Sequence, residues 1–228
     1  MNYLIIGGTS GIGNAIVQSL QENGHTVFLT GRTEKNVPSG AHYIEWSEGN
    51  NFPELGIDAL DGLVYAPGTI LLKPFHRYTE EELVNDYRIN TLAAAKALQH
   101  YYPLLKKSAN ASVVLFSTVA VQTGMPFHAS IAMAKGAIEG LTRALAAEWA
   151  PTIRVNTIAP SLTNTPLAEK LLSTPEKAEA GAKRHPLQKV GQASDMAAMA
   201  TFLLSPHSGF ITGQIIHIDG GIGNLKTS

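Results

Sequence analysis

The chain has 228 residues, a formal net charge of -1, 44% hydrophobic and 15% charged residues, and no cysteine. That length buries one sizeable core. The balanced charge offers no field to draw nucleic acid or an anionic membrane surface, and disulfides and cysteine-based sites are excluded.

Residues 3–6 form a short apolar run that stops at Gly7. With no basic segment before it, the run reads as a strand and not as a signal peptide. A glycine-rich turn follows. Ile12, Ile16, Val17 and Leu20 then recur at helical spacing as far as Gly24. Residues 26–30 are a second β-prone run, so strand, helix and strand fit within the first thirty residues. Further strands are expected at 42–46, 62–66, 112–116, 154–158 and 214–218. A helix runs from 80 to 89 and continues, with a bend, to 105. A long Ala/Leu-rich helix covers 131–149 and is closed by Pro151. Ser194 is placed as the cap of a last helix with apolar face Met196, Met199, Ala200 and Leu203. The stretch between residues 46 and 62 holds Gly49, Pro53 and Gly56 and is too short for a good crossover helix. Strands that are apolar throughout, alternating with helices, predict a single-domain Rossmann fold: a seven-stranded, mostly parallel sheet covered by helices on both faces.

The turn after the first strand reads Gly7-Gly8-Thr9-Ser10-Gly11-Ile12-Gly13. Glycine allows a sharp exit from the strand and lets main-chain N–H groups approach a phosphate. The helix that starts near Gly11 points its positive end at the same place. A tight strand–helix turn without a ligand is the alternative. The flanking strands and the amphipathic helix favour a dinucleotide pyrophosphate. The second strand ends in Thr30-Gly31-Arg32. A carboxylate there would select a free ribose, whereas a guanidinium suits a 2′-phosphate. NADP(H) is therefore expected over NAD(H), unless Arg32 only faces solvent.

With these motifs the chain resembles the short-chain dehydrogenase/reductase family over nearly its whole length. The glycine-rich turn of that family is matched from Ile6 to Gly13. Its motif after the fourth strand resembles Tyr65-Ala66-Pro67-Gly68, which keeps only the last glycine. Its helix asparagine falls on Asn90. Its Pro-Gly and threonine motif resembles Pro160-Ser161-Leu162-Thr163-Asn164-Thr165. The ending from Phe210 to Gly221 is very similar. The resemblance implies cofactor contacts from Gly7, Thr9, Ser10, Gly11, Ile12, Gly13, Arg32, Ala66, Gly68, Lys135, Pro160, Thr163 and Thr165.

It also implies a catalytic serine, tyrosine and lysine. The serine position falls on Thr118, the lysine on Lys135 and the tyrosine on Ile131. Isoleucine has no proton to give, and no tyrosine occurs after Tyr102. Three substitutes follow. His128 lies about one turn before Ile131, with a loop histidine as the alternative. Thr118 can orient a substrate, or simply cap a turn. A water held by Lys135 and Asn90 is the third. Lys135 and Asn90 also have plainer readings, as an exposed helix residue and as a polar residue at a bend.

Two functions stand from this reading. One is an oxidoreductase that transfers hydride between NADP(H) and a carbonyl or alcohol substrate with an altered proton donor. The other is a catalytically silent dinucleotide-binding protein with a sensing or partner-binding role. The resemblance implies that residues 165–190 close over the substrate. No metal is expected, because the histidines are scattered without ligand spacing. No membrane span is expected, because no apolar run approaches the required length. A cytoplasmic protein is expected, and the resemblance implies a homodimer or homotetramer.

Overall fold

The computed structural model describes residues 1–226. Nine strands and seven α-helices follow in chain order among them: β1 (Asn2–Ile6), α1 (Gly11–Glu22), β2 (Thr26–Gly31), β3 (His42–Glu45), β4 (Gly62–Tyr65), α2 (Glu80–Tyr87), α3 (Ala93–Leu105), β5 (Ala111–Phe116), α4 (Ala120–Thr123), α5 (Ala129–Trp149), β6 (Ile153–Pro160), β7 (Thr163–Asn164), α6 (Pro175–Lys183), β8 (Gly191–Gln192), α7 (Ala193–Leu204) and β9 (Ile215–Ile218). Seven strands form one sheet in the order β3-β2-β1-β4-β5-β6-β9, and every pairing is parallel. This is the expected Rossmann architecture in a single domain. The two-residue β7–β8 ladder stands apart from it.

The sheet is buried on both faces, which explains the continuous apolar strands. On one face Tyr3, Ile5 and Leu29 pack with Ile16 and Val17 of α1 and Met196 and Leu203 of α7. On the other, Leu4, Ile6 and Phe28 pack with Leu98 and Tyr101 of α3 and Ile138 and Trp149 of α5. Strand order reverses between β1 and β4, so the loops after these strands part and open a crevice at their carboxyl ends. Both motif-bearing turns end there.

Residues 46–61 contain no helix. An aromatic cluster fills the gap: Trp46 stacks on Phe52 with centroids 4.8 Å apart, and Phe52 meets the edge of Tyr101 at 5.9 Å. The Tyr101 hydroxyl donates to the Pro53 carbonyl at 2.8 Å, which fixes the loop to α3.

α2 begins at a capping box. Thr79 accepts from the Glu82 amide, and Glu82 accepts from the Thr79 amide. Between α2 and α3 the chain winds as a π-helix over Arg88–Leu92, which is the bend expected there. Its wider turn frees carbonyl groups. The Tyr65 hydroxyl takes that of Ile89 at 2.8 Å. The last helix corrects the sequence reading. Gln192, not Ser194, is the cap, in a reciprocal box with Asp195, and Ser194 lies within the first turn. Gln is a rare cap, so Ser194 was the stronger sequence signal. Among the described residues no helix is long and apolar enough to cross a membrane.

Candidate active site

At the first turn, Gly7 and Gly11 have φ of +79° and +52°, which glycine adopts at little cost. The amides of Gly7 and Gly8 both donate to the Thr30 carbonyl, at 3.0 and 2.9 Å. They therefore shape the turn. No side chain caps α1, and its first-turn amides point out of the helix toward the crevice. The amides of Gly11, Ile12 and Gly13 are thus the first-turn donors of α1. A Cβ on Gly8 would lie 2.7 Å from Leu29 Cβ, and one on Gly13 would run into the Gly7 carbonyl. These two glycines let α1 press against the sheet. Gly13→Ala should cost about 1–3 kcal/mol and weaken dinucleotide binding. Thermal unfolding and cofactor titration check this, and an unchanged melting temperature would contradict the packing account.

Thr9 occupies the space over Gly31, where a Cβ would sit 2.6 Å from the Thr9 hydroxyl oxygen. The neighbouring Thr30 hydroxyl is buried without a hydrogen-bond partner among the described residues. Arg32 is exposed. With Glu45, Trp46, Ser47 and Asn50 it lines a cavity of about 420 Å³ at the ends of β2 and β3. Sequence reasoning singled out Arg32 and not these four neighbours, because neither the end of β3 nor the loop after it matches a motif.

The other end of the crevice is organised around Lys135. Its side chain is 7% exposed, and burial pulls its pKa down from the usual 10.5 to about 8. No carboxylate pairs with it among the described residues. A Cβ on Gly68 would lie 3.2 Å from Asn90 Oδ1 and 3.9 Å from Lys135 Nζ. The Gly68 main chain, Asn90 and Lys135 therefore converge, and a side chain at 68 would crowd Asn90. Thr91 donates to the Ala134 carbonyl at 2.7 Å and pins the π-helical segment to α5 beside Lys135.

The remaining predicted residues are distributed around these two ends. A Cβ on Gly11 would sit 3.4 Å from Thr165 Cβ, and one on Gly7 would sit 3.0 Å from Pro67 Cδ. The loops after β7 and β4 thus flank the first turn. Ala66 continues the β1–β4 pairing, its amide donating to the Ile6 carbonyl at 3.0 Å. Ser10 is the cap residue of α1, with an exposed side chain. Pro160 accepts the Val119 amide at 3.0 Å, joining β6 to the segment after Thr118. The Thr163 hydroxyl donates to the Ser161 carbonyl at 2.9 Å. The Thr118 hydroxyl accepts from the Ala120 amide at 3.3 Å, so Thr118 does cap the turn into α4. Ile131 is buried. His128 is the residue just before α5, and its Nδ1 donates to the Pro126 carbonyl at 2.7 Å. A cluster that motif reading missed lies beneath Gly68: Thr69, Asp86 and Ser130, joined by short hydrogen bonds.

Residues 54–223 match the family model described as Enoyl-(Acyl carrier protein) reductase. A tropinone reductase homolog of Arabidopsis thaliana is 34% identical, with 97% of this chain and 92% of that protein aligned. The chain belongs to the short-chain dehydrogenase/reductase family. A second relative, a tropinone reductase homolog of Datura stramonium, is 32% identical over 97% of this chain and 91% of its own length. Among solved members of the family's fold, the Pseudomonas aeruginosa RhlG/NADP active-site complex superposes with a TM-score of 0.89. It is 27% identical and covers 97% of this chain and 96% of that one. A ligand-free Thermoplasma acidophilum aldohexose dehydrogenase shares the fold with a TM-score of 0.91 at 24% identity, over 100% and 96% of the two chains. Fold and family together support an NAD(P)-dependent oxidoreductase role.

Proposed function

We propose that the protein is an NADPH-dependent carbonyl reductase in which the Lys135 ammonium replaces the missing tyrosine as proton donor. The observation that carries this reading is a buried amine with no ion-pair partner among the described residues, converging with Asn90 on the Gly68 main chain.

The residues present fit the cofactor. The open amides of α1 suit a pyrophosphate. Arg32 suits a 2′-phosphate. Lys135 stands where a ribose hydroxyl and a reacting oxygen both need a donor. When bound, the cofactor supplies hydride to the carbonyl carbon. Lys135 then gives one ammonium proton to the carbonyl oxygen as negative charge develops there, and regains a proton from solvent. With a pKa of about 8 the amine is mostly charged at neutral pH and is a far better acid than an ordinary lysine. Ile131 contributes an apolar wall that strengthens the field of the ammonium. In this reading Thr118, whose hydroxyl oxygen accepts from the Ala120 amide, orients the substrate oxygen with its hydroxyl proton.

The excursion over residues 165–190 supports a substrate-covering role. It holds a 3-10 segment, Pro166–Leu171, and α6. A Cβ on Gly68 would lie 4.0 Å from Leu167 Cδ2, so this segment already reaches the site. The tropinone reductase names of the relatives suggest a ketone. A homo-oligomer is supported by exposed apolar residues on α2, the π-helical segment and α5: Val84, Tyr87, Leu92 and Met133. Light scattering should show an assembly larger than the 24.3 kDa monomer.

The test is NADPH consumption over a panel of cyclic and aromatic ketones, followed by absorbance. Turnover is expected in the wild type and in His128→Ala. Loss of turnover in His128→Ala alone would move the proton donor to that histidine. Binding of NADPH without consumption by any ketone would favour a silent binding protein. Ile131→Tyr should raise turnover by about tenfold or more, since positioned acid catalysis is typically worth 10²–10⁴.

A further inference from the structure

Asp86 is 2% exposed on α2, and no Lys, Arg or His pairs with it among the described residues. A carboxylate buried without a cation costs stability unless its oxygens are hydrogen-bonded. Here both are. Thr69 donates its hydroxyl to Oδ1 at 2.7 Å, and Ser130 donates its hydroxyl to Oδ2 at 2.6 Å. Two walls of the crevice meet at this one side chain, the loop after β4 through Thr69 and α5 through the residue next to Ile131.

The direction of these bonds has a consequence. A carboxylate only accepts. The Thr69 hydroxyl has therefore spent its one proton on Asp86 and can only accept from its other neighbour. That neighbour is Asn90 Nδ2, which donates to Thr69 Oγ1 at 2.6 Å and to the Asp86 carbonyl at 2.9 Å. With its NH₂ group held on that side, Asn90 turns Oδ1 the other way. Oδ1 accepts the Thr69 amide at 3.3 Å and faces the space above Gly68 that Lys135 Nζ also faces.

We propose that Asp86 is a positioning residue for the Lys135 site. It sets the polarity of the Thr69 hydroxyl, and through it holds the Asn90 amide with its acceptor oxygen toward the Lys135 ammonium. The chain of command runs Asp86, Thr69, Asn90, Lys135. In the fixed orientation an acceptor favours the charged amine. In a reversed or mobile amide an NH₂ dipole would oppose it. The catalytic consequence rests on the reading of Lys135 as proton donor. The geometry itself needs neither cofactor nor substrate.

The experiment is a ¹³Cε NMR titration of Lys135 in the cofactor-free protein, with the resonance assigned by its loss in Lys135→Met. Thr69→Val and Asp86→Val should each move the Lys135 midpoint down by about one unit, as expected when a nearby acceptor dipole that favours the charged form is turned away. Thr69→Ser, which keeps the hydroxyl, should restore the wild-type value. The double variant Asp86→Val/Thr69→Val should shift no further than either single one, because both cut the same connection. A merely structural role would lower the melting temperature and leave the Lys135 midpoint in place. That result in folded Thr69→Val, with no difference from Thr69→Ser, overturns the proposal. The Thr69 pair suffices if Asp86→Val fails to fold. Because no turnover is read, a failure here is distinct from a failure of the carbonyl reductase reading, which the NADPH assay reports.

Discussion

Replacing Lys135 with methionine should abolish carbonyl reduction and make the protein harder to unfold. Both effects come from one physical fact. The ammonium is held in a buried site with no counter-ion among the described residues, and its pKa falls from 10.5 to about 8 because burial penalises the charge. Below pH 8 the folded and unfolded chains both carry the proton, so the full burial cost is present. As pH rises from 8 to 10.5 the folded chain has released the proton while the unfolded chain still holds it, and the cost fades. The wild type should therefore gain stability across that window, opposite to a lysine stabilised by a salt bridge. At pH 7 an apolar side chain of similar length removes a penalty of about 3 kcal/mol, and the melting temperature should rise by roughly 5–10 °C. Differential scanning calorimetry of the two proteins at pH 7 and pH 10 checks the sign, with the gap expected to shrink at the higher pH. Turnover should fall in the wild type as pH rises through about 8, since the acid form is then lost. A turnover that stays level to pH 10 would remove Lys135 from the role of proton donor. Sites that carry out chemistry at the expense of fold stability are a general pattern.

The second large effect is expected at the other end of the crevice. Arg32→Ala should raise the dissociation constant for NADPH by about 10- to 100-fold, the value of one or two charge-assisted hydrogen bonds, and change NADH by about threefold or less. The guanidinium is exposed and makes no ion pair among the described residues, so a ligand phosphate need not displace a protein partner. Glu45 lines the same cavity. Its carboxylate repels a 2′-phosphate and can accept from a ribose hydroxyl, so Glu45→Gln should shift preference further toward NADPH. Fluorescence titration of each protein with both reduced cofactors reads these changes. Equal loss of both cofactors in Arg32→Ala would place the arginine outside the 2′-phosphate site.

Much of this was legible in the chain itself. Apolar strands buried on both faces, separated by helices with one apolar stripe, can pack stably only as layers, and the seven strands fell where the residue pattern put them. The first turn was legible because glycine is the residue that adopts positive φ freely at 7 and 11 and admits the close packing at 8 and 13. The short β3–β4 connection was legible from its length. Ser194 misled because a capping side chain is chosen by the exit direction of the chain, and that direction is set by the β8 pairing.

The tertiary structure decided what surrounds each of these residues. Thr69 and Ser130 are separated from Asp86 by 17 and 44 positions, and no periodicity links them. They meet because the β4 loop, α2 and α5 converge where the strand order reverses. Lys135 at the helix position read from sequence has an ordinary side chain. Its altered acidity belongs to the packing of α5 against the π-helical segment, which removes water from around the charge. Local sequence specifies which way a backbone turns and which face is apolar. The field at a buried atom is a sum over neighbours brought from distant parts of the chain, and only the folded arrangement fixes that sum.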